Sequence, residues 1–345
     1  MEGISSGLKQ GDPIRILAIE TSCDETAAAV VEDGQRVLAQ VVASQIETHQ
    51  AFGGVVPEVA SRQHVDRISL VLEEALSQAK LDKQELQAVA VTCGPGLVGA
   101  LLVGIAAAKA LAWSWNLPLI GVNHMAGHIY ANQLVQPLQF PLLALVVSGG
   151  HTELVYMPEH GEYRLLGQTR DDAVGEAYDK VGRLLGLPYP AGPVLDQLAG
   201  QGQDLLRLPR AWLEEGSLDF SFSGLKTAVM QAWEKAQRQG EGIALTHLAA
   251  SFQAAVIDVL VGKTVNALTA VPVRQLLLAG GVAANRGLRQ AMRHAAEAHR
   301  IPLLVPPLAY CTDNAAMIGA AAFVSYRRGE FASLDLNAIP GLVLA

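Results

Sequence analysis

Ile14-Arg-Ile-Leu-Ala-Ile-Glu-Thr-Ser-Cys-Asp-Glu-Thr26 and Pro141-Leu-Leu-Ala-Leu-Val-Val-Ser-Gly-Gly-His-Thr152 open the two halves of the chain in the same way. Each begins as a continuous apolar run, the mark of a strand buried on both faces. Each ends in a short polar turn and passes into further strand-like sequence. In the first half, strands are expected over 14–21, 26–31 and 36–44, with Asp33-Gly34 as the tight turn between the last two. A helix follows over 57–80, then a strand over 88–92, the loop Cys93-Gly-Pro-Gly96, a helix of small residues, and a strand over 117–122. In the second half, strands over 141–147, 153–157 and 163–169 precede a helix over 173–185. Later come a strand over 275–278, a helix over 285–300, a strand over 302–305 and a helix over 312–327. Three strands followed by alternating helix and strand thus occur twice. The natural architecture is α/β, a duplicated βββαβαβα unit with a cleft between the copies. The expected division is a disordered extension over 1–12, a first lobe over 13–130 completed by the C-terminal helical segment 312–345, and a second lobe over 131–311.

Composition supports two packed lobes. The chain has 345 residues, half of them hydrophobic and 17% charged, so it can bury a large core. Cys23, Cys93 and Cys311 are too few and too odd in number for a disulfide framework, and no Cys-x-x-Cys occurs. They read as small buried or loop residues of a cytoplasmic protein. The start of the chain is polar and Gly-rich, without the apolar core of a secretory signal. The longest apolar stretch, 97–115, is broken by Gly99, Gly104, Lys109 and Ser114. It reads as a buried helix, with no membrane partner. The net charge of −8 argues against a protein that coats nucleic acid unaided. Arg289, Arg293, Arg300 and Arg327-Arg328 are most simply solvated helix faces.

Asn123-His-Met-Ala-Gly-His128 is the most informative motif. Asn123 is a good helix N-cap, and histidines four apart project from one helix face, so both imidazoles can meet one cation. Asp313 in Tyr310-Cys-Thr-Asp-Asn314 is the candidate third ligand. Its bland reading is a helix cap, since Thr312, Asp313 and Asn314 all suit that role. Two histidines and a carboxylate leave open positions, as in catalytic zinc or ferrous sites.

Four glycine-rich turns end strands: Cys93-Gly-Pro-Gly-Leu-Val-Gly99, Ser148-Gly-Gly-His151, Tyr189-Pro-Ala-Gly-Pro193 and Ala279-Gly-Gly-Val-Ala-Ala-Asn285. None is a P-loop or a Rossmann fingerprint in its proper context. One such loop is usually only a turn; four in matching halves favour a nucleotide cleft. Asp171, Asp172, Glu176 and Asp179 crowd one segment. They read either as a solvated helix start, with Lys180 pairing Glu176, or as acceptors for sugar hydroxyls.

Taken together, these motifs closely resemble the TsaD family (also called Gcp or YgjD), the bacterial relative of the catalytic subunit of the KEOPS complex. The resemblance runs in order from residue 14 to about residue 330. It includes Ile19-Glu-Thr-Ser-Cys-Asp-Glu-Thr26, Gly53-Gly-Val-Val-Pro-Glu-Val-Ala-Ser-Arg-Gln-His64, Asn123 to His128, Val147 to Thr152, Gly175-Glu-Ala-Tyr-Asp-Lys180, Ser221-Phe-Ser-Gly-Leu-Lys226, Gly280 to Asn285 and Thr312-Asp-Asn314. It implies the two-lobed fold of actin, sugar kinases and heat-shock-chaperone ATPases. It implies transfer of threonylcarbamoyl from threonylcarbamoyl-AMP to N6 of adenosine 37 in tRNAs reading codons that begin with A. By the same resemblance, His124, His128 and Asp313 bind one divalent ion (Fe2+ or Zn2+) per subunit. Val147, Ser148, Gly149, Gly150, His151, Asp179, Gly192, Asp196 and Asn285 line the adenylate site, and Asp24 and Glu25 are functionally sensitive. Asp24, Glu25 and His151 are the candidates to take the proton of the attacking amine. The implied partners are tRNA, a TsaB-like paralogous subunit and a TsaE-like P-loop ATPase.

Three other readings are weaker. A zinc metallopeptidase, an old label for this family, needs His-Glu-x-x-His, but position 125 is Met. An actin-like kinase or ATPase generally holds Mg²⁺ with carboxylates rather than two histidines. A non-catalytic binding subunit would not need the intact His124, His128 and Asp313 set.

Overall fold

Alternate residues of the opening strands face different cores, which is why neither strand alternates between apolar and polar. Leu17 and Ile19 pack outward with Leu101 and Ile105, whereas Ile16 and Ala18 pack inward with Met125 and Ile318. The computed structural model describes residues 13–239 and 242–344. The extension expected over 1–12 lies outside them.

The first half contains β1 (Arg15–Glu20), β2 (Glu25–Glu32), β3 (Arg36–Ser44), α1 (Ile46–Gln50), α2 (Pro57–Ala79), β4 (Ala88–Gly94), α3 (Val98–Trp115), β5 (Leu119–Asn123) and α4 (His124–Tyr130). The second half contains β6 (Leu142–Val147), β7 (Thr152–Met157), β8 (Arg164–Gln168), α5 (Val174–Leu184), α6 (Ala191–Ala199), α7 (Ser223–Gln239) and α8 (Leu245–Ala270). It ends with β9 (Gln275–Ala279), α9 (Arg286–Ala298), β10 (Leu303–Leu304) and α10 (Ala315–Arg328). The two five-stranded sheets run β3-β2-β1-β4-β5 and β8-β7-β6-β9-β10. In each, the first three strands pair antiparallel and the last two join in parallel. The duplication read from the sequence is therefore one of topology as well as of pattern.

Five layers result. α2 and α3 cover the outer face of the first sheet, and α5 to α9 cover the outer face of the second. Between the sheets lie α4 and α10, the helices that close each repeat. They touch closely: a Cβ on Gly127 would sit 2.7 Å from Ile318 Cδ1. Any larger residue at 127 would push the two helices apart.

Local chemistry sets the ends of these elements. Asp33 (φ 52) and Gly34 (φ 68), both left-handed, form the tight turn between β2 and β3, and the Gln35 amide closes it on Glu32 O. Asn123, Asn285 and Asn314 cap α4, α9 and α10, accepting from the amides of Met125, Leu288 and Met317. Each cap contributes about 1 kcal/mol. Three features depart from the sequence reading. Residues 191–193, read as loop, begin α6. The helices α1, α7 and α8 have no counterpart in that reading. α10 starts at Ala315 rather than 312, because Asn314 is its cap. α8 is buried on most sides, so it shows no amphipathic stripe. Both α3 and α8 are long and apolar enough to cross a membrane; here both lie against the sheets.

Candidate metal centre and nucleotide cleft

The two helices between the sheets bring the metal candidates together. His124 and His128 lie on α4, and Asp313 lies just before α10. The Oδ1 atom of Asp313 is 3.5 Å from His124 Nε2 and 3.3 Å from His128 Nε2. The imidazole centroids are 4.6 Å apart and nearly perpendicular. Asn314 does the capping, so the bland reading of Asp313 falls away and its carboxylate faces the histidines.

The donor set fits a transition metal. Ligand atoms about 2.0–2.1 Å from one tetrahedral ion lie about 3.3 Å from each other, close to the two separations observed. Neither ring nitrogen of His128 has a hydrogen-bond partner, although the side chain is fully buried. A buried imidazole left without partners is costly, and a cation bound at Nε2 would remove part of that cost.

Electrostatics are consistent with this cluster. Burial opposes charge on Asp313, but His124 and His128 hold its carboxyl far below the usual range. Burial likewise opposes charge on His124, yet Asp313 and Glu20 raise it well above its ordinary value. Burial lowers His128.

Glu20 went unread at the sequence level. It ends β1, is completely buried, and its Oε2 lies 3.0 Å from His124 Nδ1. The available signal was an acidic residue closing the apolar run Ile16 to Ile19.

Of the proton-transfer candidates, His151 is lowered to about 4 by burial and by His124 and His128, so it is neutral at pH 7. Glu25 is raised to about 10 by burial, Asp313 and Asp24, and is protonated. Asp24 is buried, and its backbone carbonyl accepts from the Gln45 amide.

Four glycines of the expected nucleotide loops have open space beside them. A Cβ on Gly149, Gly150, Gly192 or Gly281 would meet nothing within 4 Å. Val147 ends β6 in the outer core of the second lobe, and Ser148 Oγ accepts from the His151 amide, closing that turn.

Three of the polar candidates for this cleft are already engaged. Asp179 Oδ1 accepts from the Ala191 amide at 2.8 Å, tying α5 to the start of α6. Asp196 meets Arg286 Nε at 3.0 Å and Gln253 Nε2 at 3.1 Å. Asn285 donates to Gln253 Oε1 at 2.7 Å while capping α9. The bonds of Asp196 and Asn285 join α6 and α9 to Gln253 on α8.

The rest of the acidic run is structural. Asp171 accepts from Ser221 Oγ, the Phe222 amide and Ser223 Oγ, and Lys180 pairs with Asp172 and Glu176. Arg289 is not a free surface charge either, since it donates to the carbonyls of Ala283 and Pro306.

A second cavity, about 430 Å³, opens beside His151. Pro95, Gly96, Glu153 and Gln168 line it together with residues 340–344. The C-terminal segment reaches this place because the Ile339 amide donates to Cys93 O and the Gly96 amide to Pro340 O.

Solved structures share the fold at low identity. The chain superposes on HypF from T. kodakarensis with a TM-score of 0.63, 16% identity, and coverage of 94% of this chain and 50% of that one. On component A of the Acidaminococcus fermentans (R)-2-hydroxyglutaryl-CoA dehydratase the TM-score is 0.55 at 15% identity, covering 91% and 98%. The chain thus shares its two-sheet α/β fold with these two proteins. Sequence relatives are much closer. The tRNA N6-adenosine threonylcarbamoyltransferase of Geobacillus kaustophilus is 63% identical over 97% of this chain and 98% of its own length. The Bacillus subtilis protein of the same name is 60% identical over 95% of each. The family model described as TsaD, tRNA N6-adenosine threonylcarbamoyltransferase, matches residues 36–320. With the relatives matched over nearly their whole length, the chain belongs to the tRNA N6-adenosine threonylcarbamoyltransferase family, the TsaD family.

Proposed function

We propose that this tRNA-modifying transferase moves threonylcarbamoyl from threonylcarbamoyl-AMP to N6 of adenosine 37 in tRNAs reading codons that begin with A. The observation that carries this reading is the convergence of His124, His128 and Asp313, supported by the open space at Gly149 and Gly150 in the turn that ends in His151. In the reaction, N6 forms a bond to the carbamoyl carbon. The bond from that carbon to the phosphate oxygen breaks, its electron pair leaves with AMP, and N6 gives up one proton.

One divalent ion per subunit, Fe2+ or Zn2+, held by His124, His128 and Asp313, would supply Lewis-acid stabilisation of charge on the donor oxygens. The chain supplies the rest. The backbone amides of Gly149 and Gly150, presented by the Ser148–His151 turn whose own amides close it, and the start of α6 at Gly192 hold the phosphate. Val147 sets that turn, Asp196 and Asn285 brace α6 and α9, and the second oxygen of Asp179 accepts from a ribose hydroxyl. Adenine N6 is a weak nucleophile, so its placement contributes much of the rate. A ring nitrogen of neutral His151 is the acceptor best suited to its proton. Protonated Glu25, beside Asp24, is suited to donate a hydrogen bond instead.

We place the lobe boundaries at 13–130 with 312–345, and at 131–311, and the protein in the cytoplasm. An acidic chain that must hold tRNA is expected to use partners. Val65 and Leu70 on α2, with Val98, Leu102 and Trp113 on α3, are exposed. Such an apolar face suits a TsaB-like subunit, with a TsaE-like ATPase completing the system. The test is transfer of labelled threonylcarbamoyl from its adenylate to unmodified tRNA by the reconstituted system. Label on tRNA with the wild-type chain and none with His128→Ala is expected. Equal labelling by both would overturn the reading.

A further inference from the structure

We infer that Glu20 is a positioning residue for the metal centre: its carboxylate fixes the tautomer and ring plane of His124 and thereby sets how tightly the site holds a transition metal. This rests on the reading of His124, His128 and Asp313 as one metal site.

Glu20 is 0% exposed. A carboxylate there needs compensation from hydrogen-bond donors or positive charge. Thr92 Oγ1 donates to Oε2 at 2.7 Å, and the Ser22 amide donates to Oε1. Among the described residues its one ion-pair partner is His124, with Nδ1 at 3.0 Å from Oε2. An ionised carboxylate only accepts, so Nδ1 carries the hydrogen. The lone pair of Nε2 is then left for a cation, on the side of the ring where Asp313 Oδ1 lies 3.5 Å away. Ser22 Oγ also approaches Nδ1, at 3.2 Å, but it is neutral and farther. His128 has no such support, since both of its ring nitrogens lack hydrogen-bond partners. Orientation of the pair therefore falls to Glu20. Buried carboxylates in this position orient a metal-bound imidazole and raise its basicity. The geometry also explains why the apolar run Ile16 to Ile19 ends in a buried acid.

The test is metal binding by the full chain, stripped of metal and titrated with Zn²⁺ against a competing chelator, and with Co²⁺ followed by its visible absorption. Glu20→Gln should weaken Zn²⁺ about 10–100-fold and alter the Co²⁺ spectrum. The metal-free variant should keep the circular dichroism of the wild type, because glutamine keeps the volume. Ser22→Ala should weaken binding less. Thr92→Val, which loosens the Glu20 carboxylate without touching its charge, should weaken binding in the same direction and serves if Glu20→Gln does not fold. Wild-type affinity in the folded variants would overturn the inference while leaving the site intact. Failure of the wild-type chain itself to bind metal would instead overturn the site.

Discussion

His128 and Asp313 meet, Nε2 to Oδ1, at 3.3 Å, although one lies on α4 and the other precedes α10. These helices close the two repeats, so the centre is built on the internal symmetry of the fold. Each of His124→Ala, His128→Ala and Asp313→Ala should lose bound metal while keeping its circular dichroism, because the ligands sit in a preformed site. Elemental analysis of the purified variants checks this. Normal metal content in all three would contradict a shared site.

Stability should depend on pH through Glu153. Burial raises its carboxyl from an ordinary 4.5 to about 7, and Oε2 has no partner. A carboxyl whose folded pKa lies above its unfolded value binds its proton more tightly when folded. The penalty for ionising it is absent below 4.5, grows through the window up to about 7, and is complete above it. Glu153→Gln should therefore raise stability at pH 8 by up to about 3 kcal/mol and change little at pH 4. Denaturant titrations at the two pH values decide it; an equal effect at both would refute the cause given.

Asp179 is expected to have two roles. One oxygen holds the Ala191 amide, and the other is available to a ribose hydroxyl. Asp179→Ala should weaken adenylate binding by roughly 1.5–3 kcal/mol, whereas Asp179→Asn, which keeps an acceptor for the amide, should lose less. Calorimetry with a non-transferable adenylate analogue reads both. Unchanged affinity in Asp179→Ala would remove this residue from the site.

Partner dependence is the fourth expectation. Supplied with adenylate and tRNA but no other protein, the isolated chain should modify little tRNA. Trp113→Glu, placed on the exposed face of α3, should abolish any gain from the paralogous subunit and leave metal content unchanged. Full turnover by the isolated chain would contradict this account.

Much of the fold was legible because each repeat opens on a doubly buried strand and a short polar turn, features local in sequence. His124 and His128 were legible for the same reason, being one helical turn apart. α8 was not, because a helix buried on most sides lacks the periodicity that announces a helix. The engagement of Asp196 and Asn285 was not either, since Gln253 comes to both, and Arg286 to Asp196, from distant segments. Glu20 escaped notice because its meaning depends on His124, a contact that only the parallel pairing of β1 with β4 and β4 with β5 creates.

The central claim is that metal-assisted acyl transfer to tRNA releases AMP. It is tested most directly by measuring AMP and labelled tRNA in one reaction of the reconstituted system, with and without a chelator. AMP should appear in proportion to labelled tRNA, and chelation should slow both together, because the same anhydride is oriented for both. ADP in place of AMP, AMP released without tRNA labelling, or rates indifferent to chelation would contradict it.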